Sequence, residues 1–132
     1  MEKLCPCCSG KKYDECCKPY HDGALPPTAL ALMRSRYSAY ALHKTDYIIH
    51  TTHPKSRYFE KDRKQWELGI REFSRTTEFV KLEIIEAKED TVKFAAHLKQ
   101  ENRTFILEEK SHFQKIDGKW LYLDGLVTTR TL

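Results

Sequence analysis

At 132 residues, with 40% hydrophobic side chains and a formal net charge of +4, the chain is long enough to bury one core. It is too weakly basic to argue for nucleic-acid binding on charge alone. No apolar run approaches the roughly 20 residues a membrane helix needs, and no apolar leader follows Met1-Glu2-Lys3-Leu4, so a reduced, cytoplasmic setting is expected.

All five cysteines fall in residues 4–18, LCPCCSGKKYDECCK. The spacing is Cys5-Pro6-Cys7, eight residues, then Cys16-Cys17. In a reducing compartment, clustered thiols point to metal rather than to disulfides. Adjacent cysteines also bridge poorly with each other, because disulfide geometry is specific. No βαβ pattern stands nearby to suggest a thioredoxin-type redox pair. Two close pairs of thiolates satisfy tetrahedral Zn²⁺ in a closed structural site with no open catalytic position. Ser9-Gly10 supplies the turn between the pairs, and Lys11, Lys12 and Lys18 offset the negative charge of a four-thiolate centre. The preferred ligands are Cys5, Cys7, Cys16 and Cys17. Cys8 and His21 remain alternatives for one position.

The segment resembles the SEC-C motif, C-x-C followed by eight residues and C-C or C-H, and shares Ser9-Gly10-Lys11-Lys12-Tyr13 with it. The usual form reads C-P-C-G-S-G. Cys8 stands where that first Gly would be, and a side chain there disfavours a left-handed turn. The resemblance implies bound zinc and contact with a protein or ribosomal partner.

Residues 1–24 therefore read as one zinc-binding module, and 25–132 as a second unit. Pro26-Pro27 closes a linker, and Thr28 is a natural N-cap. Leu30, Met33, Tyr37, Tyr40 and Ala41 recur at helical spacing. Helical character is expected to run on through Tyr47, Ile48 and Ile49 and to stop before Pro54. A second helix fits residues 61–73, with Trp66, Ile70 and Phe73 on one face.

After Thr76 the period becomes two. Strands are expected from Phe79 to Ala87, around Val92-Phe94-Ala96-Leu98, along Phe105-Leu107-Phe113, and from Trp120 to Val127. Glu89-Asp90, Glu101-Asn102 and Asp117-Gly118 separate them, and Asp-Gly between alternating runs is a strong hairpin signal. Helices followed by a four-stranded meander predict an α+β architecture with the helices on one face of a curved antiparallel sheet. This order resembles the nuclear transport factor two-like fold. The string ALMRSRYSAYALHKTDYIIHTTHP, ending at Pro54, is similar to the start of the central domain in the YchJ family. That family joins a SEC-C motif to such a cone-shaped domain, and its biochemical role is poorly defined.

A cone of this kind implies a pocket between helices and sheet. The candidate lining is Arg34, Tyr37, Tyr40, His53 and Trp66. Arg34 and Arg36 are two apart and face different sides of a helix. Arg34, three before Tyr37, has the better case for the pocket. His50 and His53 could pair for metal or proton transfer, but no third ligand is close in sequence, and ordering of the Pro54 loop by His53 is the stronger reading. His97 and His112 fall on the outer face. No Gly-rich phosphate loop or serine nucleophile elbow is present.

The leading functional reading is a zinc-bearing adaptor. Its cysteine segment would be a metal-folded knob with a cationic surface of Lys3, Lys11, Lys12 and Lys18. The segment is too short to bury a core of its own, so its folding energy would come from the metal, about 10 kcal/mol or more in zinc peptides. The alternative is a small-molecule-binding enzyme using the cone pocket. RNA binding through the basic segment with Tyr13 or Tyr20 is a weaker third reading, because Glu2, Asp14, Glu15 and Asp22 dilute the charge.

Overall fold

The computed structural model describes residues 3–132. Met1 and Glu2, including the Glu2 charge expected to dilute the basic segment, lie outside the described residues. A 3₁₀ turn, Tyr13–Glu15, is followed by α1 (Lys18–His21), α2 (Ala29–Ala41), α3 (Thr45–His50) and α4 (Arg63–Thr76). Then come β1 (Glu78–Ala87), β2 (Thr91–Gln100), β3 (Arg103–Ile116) and β4 (Lys119–Thr131). The strands form one antiparallel meander in the order β1-β2-β3-β4.

Local chemistry explains the boundaries. The Thr28 hydroxyl accepts from the Ala31 N–H and starts α2, and the Asp62 carboxylate accepts from the Gln65 N–H and starts α4. Helical character does not run on unbroken from α2 into residues 45–49. Leu42–Lys44 interrupt it with a Schellman closure: the Lys44 N–H donates to Ala39 O at 2.8 Å and the His43 N–H to Tyr40 O at 3.4 Å. His43 takes the left-handed position at φ 62° that glycine usually fills, so the sequence carried no glycine to mark the end. Asp117 and Gly118 both have positive φ, as the tight β3–β4 hairpin requires.

Register shifts between Phe79 and Lys81, between Ile84 and Glu86, and between His112 and Phe113 bend the sheet around the helices. The segment after α3 locks onto β4. The His53 N–H donates to Tyr122 O and the Tyr122 N–H to Thr51 O, both at 2.8 Å.

Two hydrophobic clusters hold the layers together. One joins Ala39, Ile48, Ile49, Trp66 and Ile70 across α2, α3 and α4. The larger one packs α2 on the sheet through Leu32, Met33, Tyr37, Leu82, Phe94 and Leu98, and it also contains Cys5, Cys7 and Cys17. The cysteine segment is therefore not a separate knob. It shares a core with the helices and sheet. Among the described residues, no helix is long and apolar enough to cross a membrane.

Candidate metal centre and cavity

The sulfur atoms of Cys5, Cys7, Cys16 and Cys17 all lie within 4.8 Å of one another. The Cys7–Cys16 and Cys16–Cys17 sulfurs are 3.6 and 3.9 Å apart. A tetrahedron with Zn–S bonds near 2.3 Å has edges of roughly 3.8 Å, so the residues present fit zinc. None of the five cysteines forms a disulfide. Burial and mutual hydrogen bonding split the thiol acidities. Cys7 is held far below the usual thiol range by hydrogen bonds from Cys17 and then Cys5, while hydrogen bonds with Cys5 and then Cys7, together with burial, push Cys17 up. Sulfurs this close cannot all carry charge without a cation among them. Bound Zn²⁺ would supply that charge and cross-link the two ends of the segment.

The two alternative ligands point elsewhere. Cys8 is exposed and does adopt the left-handed turn its side chain was expected to disfavour, at φ 64°. Its sulfur turns away from the other four and accepts from the Leu82 N–H at 3.4 Å. His21 Nε2 donates to Ser35 O at 2.8 Å, which leaves Nδ1 to accept from the Tyr13 hydroxyl at 2.7 Å. Burial pushes the His21 pKa below its ordinary value and favours this neutral tautomer. His21 thus ties the cysteine segment to α2.

A cavity of about 430 Å³ lies between α2, α4 and the concave face of the sheet. Tyr37, Tyr40 and Trp66 line it; Arg34 and His53 do not. Arg34 follows Leu30 by four residues, on the side of α2 that meets the metal loop, and its Nη1 donates to Cys7 O at 2.8 Å. His53 is buried in the loop pinned to β4, where Nδ1 accepts from the Lys55 N–H at 2.9 Å. The arginine on the cavity side is Arg36, three residues after Met33 and four before Tyr40. Its guanidinium sits 4.7 Å above the Tyr122 ring and donates to Ile48 O, Thr51 Oγ1 and Thr52 Oγ1. His50 is exposed and His53 buried, so the two do not converge.

Sequence reasoning missed Glu109. Its Oε2 accepts from the Ser111 hydroxyl at 2.6 Å and the Tyr122 hydroxyl at 2.8 Å, and the residue faces the cavity. A signal was present: Glu109 and Ser111 interrupt the apolar alternation Phe105-Leu107-Phe113. Tyr37 also carries a buried hydroxyl that has no hydrogen-bond partner among the described residues. Burial pushes its pKa up, because the phenolate would be poorly solvated.

The model of the YchJ middle NTF2-like domain matches residues 28–125. The chain belongs to the YchJ family. A UPF0225 protein of Deinococcus radiodurans is 40% identical over 125 residues, covering 93% of this chain and 88% of the relative. One from Serratia proteamaculans is 39% identical over 134 residues, covering 95% and 84%. Among solved structures, a SEC-C motif containing protein from Rhodopseudomonas palustris superposes on this YchJ-family chain with a TM-score of 0.78 at 33% identity, covering 96% of this chain and 98% of that one. A SEC-C motif containing protein from Psychrobacter arcticus gives 0.67 at 26% identity, covering 94% and 82%. The α+β fold of this chain is thus shared with solved SEC-C motif containing proteins over nearly its whole length.

Proposed function

We propose that this YchJ-family protein is a zinc-organised interaction protein of the cytoplasm, whose cysteine segment docks on a protein or ribosomal partner. The observation that carries this reading is the four-sulfur cluster, a closed structural site with no place for a substrate on the metal. Zinc here holds a surface in shape. Leu4, 67% exposed, pairs across an antiparallel bridge with exposed Lys12, and the neighbouring Lys3 and Lys11 are exposed as well. An apolar residue framed by cations suits an anionic partner with a small hydrophobic site. Lys18 contributes less, because its ammonium pairs with Asp22 at 2.6 Å.

Removing residues 1–24 would strip the core as well as the surface, so the test leaves the cysteines intact. Zinc-loaded wild type and a Lys3→Glu/Leu4→Asp/Lys11→Glu variant are cross-linked in native lysate and their captured partners identified. The reading expects ribosomal or protein partners with the wild type and their loss in the variant at unchanged zinc content. Equal capture by both would overturn it. Capture confined to free RNA, falling steeply with salt, would replace it with RNA binding.

A further inference from the structure

The cavity is walled by aromatic rings, with Tyr37, Tyr40, Trp66, Phe73, Phe94 and Phe113 among its lining. Its charged groups are Glu60 and Glu109 against the single guanidinium of Arg36, so it is negative in balance. None of these three has an ion-pair partner among the described residues. Arg36 is committed to the Tyr122 ring and to three neutral oxygens. Glu60 is exposed, whereas Glu109 is held in place.

Three features hold Glu109. Ser111, 1% exposed, and Tyr122 both donate to its Oε2, which leaves Oε1 without a hydrogen bond among the described residues. Gly125, the cross-strand partner of Ser111, makes room for the side chain. A Cβ there would stand 2.7 Å from Glu109 Cδ and overlap Oε2. The result is a fixed anionic acceptor in an aromatic box, and ring faces attract cations electrostatically.

We propose that the cavity binds a small organic ammonium ion with an aromatic or branched apolar body, its N–H donating to Glu109 while the body packs against Tyr40, Trp66 and Phe73. The cavity volume suits a ligand of this size. This inference is independent of the docking role of the cysteine segment, and the two can fail separately.

The test uses the zinc-loaded full chain and three probes of nearly equal shape: phenethylammonium, phenethyl alcohol and hydrocinnamate. Backbone amide shifts of β3 and β4 are followed by NMR at neutral pH. Phenethylammonium is expected to shift the amides around Glu109, Ser111 and Tyr122 saturably, about tenfold or more tighter than the alcohol, the scale of one charge-assisted hydrogen bond. Hydrocinnamate is expected to bind more weakly still. Glu109→Gln keeps the shape and is expected to abolish the preference with its melting temperature unchanged. No saturable binding of any probe, equal binding of ammonium and alcohol, or a Glu109→Gln variant that keeps the preference would each overturn the proposal. Should that variant fail to fold, the ranking of the three probes on the wild type decides alone.

Discussion

Arg34 and Cys7 are 27 residues apart in sequence, yet the guanidinium Nη1 of one donates to the carbonyl oxygen of the other at 2.8 Å. The bond fastens the cysteine loop to the middle of α2. Arg34→Ala leaves that carbonyl without its partner and should destabilise the zinc-loaded protein by about 1–2 kcal/mol. Denaturant unfolding measures this directly. An unchanged midpoint would mean the loop is held by its sulfurs and by packing alone.

Metal removal should reach far beyond the cysteine segment. Cys5, Cys7 and Cys17 share a core with Leu32, Met33 and Leu82, so chelation should raise hydrogen exchange in α2 and β1 as well as in residues 3–24. Cys16→Ser should act in the same direction. Exchange confined to residues 3–24 would show a module that folds independently of the rest.

Cys8 is the thiol that does not converge, and it pays a conformational cost at φ 64°. Cys8→Gly relieves a strain of about 1 kcal/mol for a non-glycine residue in this region, while losing two weak sulfur contacts, with the Leu82 N–H and the Pro6 carbonyl. Zinc content should match that of the wild type, and thermal stability should hold or rise. A drop in zinc content in this variant would make Cys8 a ligand.

Gly125→Ala should displace the Glu109 carboxylate from Ser111 and Tyr122, because the new methyl group occupies its place. The expected loss is about 1–3 kcal/mol from unmet hydrogen bonds. Thermal melting of Gly125→Ala beside Gly125→Ala/Glu109→Ala separates the causes: relief by the second substitution confirms the overlap.

The buried tyrosines set an alkaline limit. Burial pushes Tyr47 up to about 12 from an ordinary 10.0, and it also raises Tyr37, Tyr40 and Tyr122. A folded-state pKa above the unfolded one means these groups stabilise the fold fully below the unfolded value, and that contribution is lost as pH rises through the folded one. Ultraviolet titration should therefore show fewer than all seven tyrosines ionising before a cooperative alkaline transition. Smooth ionisation of all seven with the fold intact would contradict their burial.

Local chemistry was enough to place most elements from the sequence. The Thr28 cap, the change of period after Thr76 and the Asp117-Gly118 turn act over a few residues. So does the doublet spacing of the cysteines, which brings four sulfurs together once Ser9-Gly10 turns the chain. The end of α2 was not legible, because His43 takes a position that normally announces itself as glycine. Tertiary structure alone decided which arginine faces the cavity. Arg34 and Arg36 sit on one helix, and only the docking of the cysteine segment on the Leu30 side and of the sheet on the Met33 side assigns them. It also turned a predicted knob into part of the core and gathered Glu109, Ser111, Tyr122 and Gly125 from two strands into one site. Those relationships depend on strand register and on which helix face meets the sheet, contacts between residues far apart in the chain.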